Sequence, residues 1–336
     1  MVKVAVIGAG SWGTTVAMIA AGNAPTIVWA RRPELAAQID GEHANPVYLP
    51  GVALPESLRA TASLAEACDG ADVLVLGVPS HGLRAVLEEA APAIGARVPV
   101  VSLAKGIEQG SLARMTEVVC EVLQGHDPKC VGVLTGPNLA REVAAGQPTA
   151  SVVAIGDEFV ARQLQQLFFS PNFRVYTNPD VIGCEMAGAL KNVLAIGAGI
   201  ADGLGYGDNT KAALMTRGLA ELARLGIAMG GDPLTFAGLA GMGDLIATCS
   251  SPQSRNRHVG VELGKGRELA DIVSEMNMVA EGVKTTGAVL ALAARYNVEM
   301  PLASFVGRVL NDGARPADLV PELMLRKAKP ELHGMR

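Results

Sequence analysis

Short runs of β-branched and other apolar residues alternate with amphipathic stretches along the first half of the chain. "VKVAVIG", "TIVWA", "ADVLVLGVP", "VPVVSLA", "CVGVLTG", "TASVVAIG" and "FRVYT" read as strands. Between them, stretches such as "HGLRAVLEEAAPAI" and "LARMTEVVCEVLQ" repeat apolar positions at helical spacing. Continuous apolar strands separated by helices predict a mostly parallel sheet covered on both faces. The pattern changes near Asn178 to Glu185, where Pro179 and Asp180 suit a helix entry. Beyond that point only helical segments are expected. "NTKAALMTRGLAELARLGIAMGG" is the clearest, with Met215, Leu219, Leu222, Leu225 and Met229 along one stripe and Gly230 and Gly231 as its stop.

Composition narrows the class. A chain of 336 residues exceeds what one core usually organises, so two domains are expected. The chain is 49% hydrophobic and 18% charged, which is globular. A net charge of -5 argues against broad nucleic-acid binding and leaves room for a small anionic ligand. The five cysteines have no CxxC spacing and the five histidines are scattered, so no metal site is read. The opening "VKVAVIGAG" is a strand pattern rather than a signal peptide, and no uncharged apolar run reaches the roughly 20 residues that span a bilayer. A soluble, cytoplasmic protein without stable membrane insertion is expected.

Candidate chemistry begins at "GAGSWG", which follows the first strand and precedes a helix. There Gly8 permits the tight turn, Gly10 lets the backbone approach a pyrophosphate, and Gly13 lets the helix pack on the strand. The helix start offers N–H groups to phosphate. The fold class is therefore α/β. A Rossmann-like dinucleotide-binding domain with a mostly parallel sheet is expected over residues 1–184, and an all-α substrate domain over 185–336. At the end of the second strand an acid would favour NAD, but "VWARRPE" places Arg31 and Arg32 there. Guanidinium forks suit the extra phosphate of NADP, so the cofactor is NADP or NAD with a lean toward NADP. The alternative is a solvated basic turn.

One cation, Lys191, interrupts the apolar stretch "MAGALKNVLAIGAGIADGL". It either stretches its stem along the surface or is held in a cleft for chemistry. Two strand ends carry further polar residues: "VPSH" with His81, read as a loop residue, and "AKGIEQG" with Lys105.

With the later motifs, the chain resembles NAD(P)-dependent glycerol-3-phosphate dehydrogenases over essentially its whole length. "GAGSWG", "VPSH", "LAKGIE", "LTGPNLAREV", "EMAGALKNVLAIGAGIADGLGYGDNTKAAL", "LAGMGDLIATCSSPQSRNRHVG" and "VAEGV" occur in the family's order. The resemblance implies interconversion of dihydroxyacetone phosphate and sn-glycerol 3-phosphate, supply of glycerol 3-phosphate for phospholipid synthesis, and a homodimer. It implies that Ser11, Trp12, Arg31, Arg32, Ala140, Val279 and Glu281 contact the dinucleotide, in addition to Gly8, Gly10 and Gly13. It implies that Lys105, Gly136, Asn138, Lys191, Asp244, Ser254, Arg255 and Asn256 surround the substrate, with Lys105 and Arg255 reaching the cofactor as well. Lys191 is the implied proton donor and acceptor. Many family members carry Ser or Thr then Phe where this chain has Asn138 and Leu139.

These roles make physical sense. Reducing a ketone needs a hydride at carbon and a proton at oxygen, and a poised acid there is worth roughly 3 to 5 kcal/mol. Partial desolvation would bring a lysine toward the working range. Asp244 either orients Lys191 or caps the helix beginning at Leu245. "SPQSRN" reads as a phosphate cradle at a helix start, or as an exposed basic segment. Two rival functions remain at this stage: a related two-domain 3-hydroxyacid dehydrogenase, and a dinucleotide-sensing regulator without catalysis.

Overall fold

The computed structural model describes residues 2–276 and 280–331. It divides into two compact units, one of residues 1–104 and 114–181 and the other of residues 105–113 and 182–336. The linear reading did not anticipate that Lys105–Ala113 leaves the sheet unit to join the helical one.

The first unit contains ten strands: β1 (Val4–Ile7), β2 (Thr26–Trp29), β3 (Ala44–Asn45), β4 (Leu49–Ala53), β5 (Leu58–Thr61), β6 (Val73–Leu76), β7 (Val100–Ser102), β8 (Val131–Thr135), β9 (Thr149–Ile155) and β10 (Phe173–Asn178). Eight of them form one sheet in the order β10-β9-β8-β7-β6-β1-β2-β5. All neighbours are parallel except β8 and β9. Every residue of β1, β6, β7 and β8 is buried, as strands covered on both faces require. The chain builds outward in one direction through β2 and β5, then returns to the other side of β1 at β6. That reversal is where open α/β sheets bind ligands, beyond the carboxyl ends of the strands. The two-stranded β3–β4 ribbon and the polar edge strand β5 went unread in the sequence.

Apart from the turns of Lys105–Ala113, the regular elements of the second unit are helices among the described residues. Its axis is the helix Val181–Gly203, in which every residue from Gly183 to Ala201 is buried. By length and composition this helix could cross a bilayer, but 89% of its apolar window is buried inside the protein. A helix apolar on all sides and covered on all sides is a core helix. The helix Asp208–Ala228 packs on it through Leu222 and Leu225, with Met215 and Leu219 partly covered and Met229 at its cap. Gly230 follows at φ +101, the left-handed conformation expected of the stop.

Small residues set how closely the helix Arg255–Gly264 approaches this axis. A Cβ on Gly199 would lie 2.1 Å from the Arg257 carbonyl oxygen, and one on Gly260 would lie 2.0 Å from that of Ile196. Gly203 and Gly264, one turn on, face Val261 and Ile200 in the same way. Backbones that close leave no room for any side chain, so the apolar "IGAGIADG" doubles as a docking groove. Arg257 meets one carboxylate oxygen of Asp202, at 2.8 Å from Nε and 2.6 Å from Nη2, and ties the same two helices.

Gly260→Ala is therefore expected to cost about 1–3 kcal/mol or more, because backbone must move to admit the methyl group. Denaturant unfolding that leaves the midpoint unchanged would show that the two helices separate without cost.

Candidate active site

The nucleotide end is built on backbone geometry. Gly8 takes φ +119, and a Cβ there would meet the Gly77 carbonyl carbon at 2.7 Å. A Cβ on Gly13 would sit 2.0 Å from the Gly8 oxygen. Gly10, by contrast, faces open space within 4 Å of where its Cβ would be. Two glycines thus close the turn while the third leaves its outer face clear. Gly10 is also the N-cap of the helix Ser11–Ala21 and brings no side chain to its first N–H groups. A clear glycine face above a helix start fits a dinucleotide pyrophosphate.

Side chains from the β3–β4 ribbon brace this turn. The buried Asn45 donates through Nδ2 to the Ala9 carbonyl at 2.9 Å and to Thr14 Oγ1 at 2.8 Å, and accepts from the Tyr48 N–H at 3.0 Å. Ser11 Oγ donates to the Tyr48 carbonyl at 2.7 Å. Arg32 lies over the Tyr48 ring, 5.5 Å from its centroid. Arg31 and Arg32 are both exposed at the end of β2. Trp12 packs against Phe173 at 6.1 Å between centroids, and its buried Nε1–H has no partner. At the end of β8, Gly136 takes φ +127 against Ser151. The buried Asn138 donates to Ser151 Oγ at 3.3 Å, and the Ala140 carbonyl accepts from Thr15 Oγ1 at 3.3 Å. Asn45 and Tyr48 were not read in the sequence; "ANPVY" offers only a turn-forming Asn-Pro as a signal.

The helical unit holds the charged cluster. Lys191 is 5% exposed, and its Nζ donates to Asp244 Oδ1 at 2.5 Å and to Thr248 Oγ1 at 2.6 Å. Lys105, at the start of the transferred segment, donates to the other carboxylate oxygen at 2.7 Å. Asp244 is 2% exposed and does not cap the helix; it is the first residue of Asp244–Ser250, directly after a π-helical turn over Leu239–Gly243. A Cβ on Gly241 in that turn would meet the Phe236 carbonyl at 2.1 Å, so the wide turn needs glycine. Asp244 therefore orients the lysines, and the capping alternative falls away. Thr248 was missed in the sequence; it lies one turn beyond Asp244 on the same helix face.

Burial pushes the Lys191 ammonium down from 10.5 to about 8, and the ammonium of Lys105 adds to that against the pull of Asp244. Burial pushes the Asp244 carboxyl up, but the two ammoniums outweigh it and hold the group below its ordinary range. Lys191 and Asp244 are thus both charged at neutral pH, with the Lys191 amine poised just above it.

The helix Arg255–Gly264 begins at Ser254, whose Oγ accepts from the Arg257 N–H at 3.2 Å. Ser254 is thus a helix cap whose own hydroxyl proton is not consumed by that bond. Arg255 is exposed at the helix start; surrounding protein lowers the proton affinity of its guanidinium and the nearby Glu281 carboxylate opposes that. Asn256 is buried and turned inward, accepting from the Gly282 N–H at 2.9 Å. Glu281 opens the helix Glu281–Arg295. Val279 lies outside the described residues. The structure thus gathers Lys105, Lys191 and Asp244 into direct contact and places Ser254, Arg255, Asn256 and Glu281 at two helix starts of the same unit.

Two family patterns, one for each half, match the chain. The pattern for the N-terminus of NAD-dependent glycerol-3-phosphate dehydrogenase covers residues 3–161, and that for its C-terminus covers residues 180–321. The chain belongs to the NAD-dependent glycerol-3-phosphate dehydrogenase family. It is 57% identical over 331 residues to glycerol-3-phosphate dehydrogenase [NAD(P)+] 2 of Sphingopyxis alaskensis, covering 98% of each chain. It is 52% identical over 332 residues to the glycerol-3-phosphate dehydrogenase [NAD(P)+] of Streptomyces avermitilis, again over 98% of each. The crystal structure of glycerol-3-phosphate dehydrogenase from Coxiella burnetii superposes with a TM-score of 0.91 at 38% identity, covering 96% of this chain and 99% of that one.

A buried ammonium costs folding energy that a neutral side chain would not. Because folding lowers the Lys191 pKa from 10.5 to about 8, the penalty is full below pH about 8 and fades as pH rises toward 10.5. Lys191→Met should therefore match or exceed the parent in thermal stability at pH 7, with the difference shrinking above pH 8. A Met variant that melts well below the parent at pH 7 would show that the ion pairs more than repay the burial.

Proposed function

We infer that this chain interconverts dihydroxyacetone phosphate and sn-glycerol 3-phosphate with a nicotinamide dinucleotide. The observation that carries the reading is the buried Lys191 amine, held by Asp244 and Thr248 with its pKa near 8. The dinucleotide, when bound, supplies the hydride that reduces the ketone carbon. The chain's own residues handle the oxygen. The Lys191 ammonium gives its proton to the alkoxide formed at that carbon, and its charge stabilises the oxyanion before transfer. In the oxidation direction the neutral amine takes the same proton back, and an affinity near 8 keeps both forms accessible. Asp244 accepts from Lys191 on one oxygen and Lys105 on the other, so the amine keeps one orientation through the cycle.

The phosphate of the substrate is assigned to the start of the helix Arg255–Gly264. There the Arg255 guanidinium, the Ser254 hydroxyl and the positive helix end act together. Gly8, Gly10, Gly13 and the start of the helix Ser11–Ala21 hold the pyrophosphate, and Arg31 with Arg32 favours the ribose phosphate of NADP. Supply of glycerol 3-phosphate to phospholipid synthesis, a cytoplasmic location and a homodimeric state belong to the same proposal, and rest on family resemblance.

Following reduced-nicotinamide absorbance with dihydroxyacetone phosphate tests the assignment directly. Lys191→Ala should lose at least a hundredfold in turnover, consistent with loss of a general acid, while reduced cofactor still binds. In the parent enzyme, turnover for ketone reduction should fall as pH rises through about 8, since only the protonated amine can donate. Near-normal turnover in the alanine variant would remove Lys191 from the reaction.

Arg255→Ala separates the phosphate assignment from the rest. It should raise the KM for dihydroxyacetone phosphate by about tenfold or more, the loss expected for a charge-assisted bidentate contact, and disturb reduced-cofactor binding far less. Equal losses for both ligands would disqualify the helix start as the phosphate site.

A further inference from the structure

Asn192 and Asn256 do more than fill buried space. Asn192 follows Lys191 on the axial helix and is 5% exposed; Asn256 follows Arg255 and is 8% exposed. Three hydrogen bonds, each 2.9 Å, run through their side chains: Gly282 N–H to Asn256 Oδ1, Asn256 Nδ2 to Asn192 Oδ1, and Asn192 Nδ2 to the Lys105 carbonyl. The ends fix the direction of the chain. A backbone N–H can only donate and a backbone carbonyl can only accept, so neither amide can flip without losing a bond.

The fit around this chain is close. A Cβ on Gly282 would lie 2.7 Å from the Asn192 carbonyl oxygen and 2.9 Å from Asn256 Oδ1. The first turn of Glu281–Arg295 can reach the amides only as glycine. Each anchored residue also neighbours a charged one or is itself charged: Lys191 precedes Asn192, Arg255 precedes Asn256, Glu281 precedes Gly282, and Lys105 provides the carbonyl. Leaving any one bond unmade would strand a buried polar group.

We propose that Asn192 and Asn256 are positioning residues, a two-amide relay that sets the Lys105 segment and the Glu281 helix start in fixed register. The proposal rests on the reading above, in which Lys105 serves the substrate and Glu281 the dinucleotide. The relay makes the two ends mechanically dependent although neither amide needs to touch either ligand. It also gives the Asn256 side chain a role other than the direct substrate contact implied by the family resemblance.

The test uses the full chain and two readouts: binding of reduced dinucleotide by fluorescence without substrate, and KM against kcat for dihydroxyacetone phosphate. Asn256→Ala removes the Gly282 anchor and should weaken reduced-dinucleotide binding by about tenfold. Asn192→Ala should weaken it comparably, and the double variant should be no worse than either single one, because one chain is broken once or twice. Asn192→Asp keeps the acceptor for Asn256 but sets a carboxylate against the Lys105 carbonyl. Its effect should be a raised KM for dihydroxyacetone phosphate with dinucleotide binding retained. If an alanine variant fails to fold, Asn192→Asp and the isosteric Asn256→Asp, which keeps Gly282 but loses Asn192, carry the comparison alone. Additive losses in the double variant, or dinucleotide binding untouched by Asn256→Ala, would overturn the relay. For the aspartates, equal effects on both ligands would do the same. A parent that binds reduced dinucleotide but leaves dihydroxyacetone phosphate unreduced would instead refute the proposed function, and the substrate-free binding series would still decide the relay.

Discussion

An ammonium kept out of water has to be held by a carboxylate, and everything in the helical unit serves that condition. Lys191 sits within a largely apolar buried helix, and its compensation comes from the hydrogen bonds to Asp244 and Thr248. Burial alone would strip the proton; ion pairing alone would hold it too tightly to give up. The opposition of the two, with Lys105 tipping the balance downward, leaves the amine near neutrality. Such a group is expensive to keep, since removing one partner leaves a buried charge uncompensated. The sequence accordingly commits three segments far apart in the chain to it: Lys105, Lys191 and Asp244, with Thr248 beside Asp244.

Holding those segments still is a packing problem before it is an electrostatic one. Gly199, Gly203, Gly260 and Gly264 bring the Lys191 helix and the Arg255 helix into backbone contact, and Gly241 shapes the wide turn that delivers Asp244. At van der Waals contact between backbones a shift of a few tenths of an ångström is resisted steeply, whereas a side-chain interface would yield by changing rotamers. The high glycine content of the chain, 39 residues, has one of its explanations here. The sheet unit uses the same device at Gly8, Gly13 and Gly77, where it creates a clear face rather than a closed one.

How far the fold could be read from the residues follows from how local each cause is. The strands β1, β2, β6, β7, β8 and β9 announce themselves because burial demands apolar runs, and the edge strand β10 by its alternation of buried and exposed residues. The strand β5, "LRAT", does not, because at the sheet edge a polar residue such as Arg59 is tolerated. Nor does an apolar run encode direction, so the antiparallel pairing of β8 with β9 was invisible. Gly8 to Gly13 could be read because a turn is a property of adjacent residues. Lys191 could be singled out because a lone cation in an apolar helix is locally inconsistent, yet its partner could not be assigned: Asp244 is 53 residues away, and "GMGDL" fits a helix cap equally well. Asn45, Asn192 and Thr248 are single polar residues whose importance arises only from what folding brings against them. The passage of Lys105–Ala113 into the helical unit is of the same kind, since "KGIEQGSLA" carries only loop character.

The charge balance of the cluster argues for one direction of design. Two ammoniums, those of Lys105 and Lys191, draw on the two oxygens of one buried carboxylate. For stability alone a second acid would be the better choice, or no ions at all. A buried ammonium is useful where negative charge arrives, either on a ligand or on an oxygen that becomes an alkoxide. Because the carboxylate is engaged on both oxygens, it is a poor proton acceptor, as its lowered pKa records, whereas burial brings the Lys191 amine down to about 8, which suits the proposed role of proton donor. On the proposed reading, a neutral side chain in place of Lys191 could fill the same space but would have no proton to give.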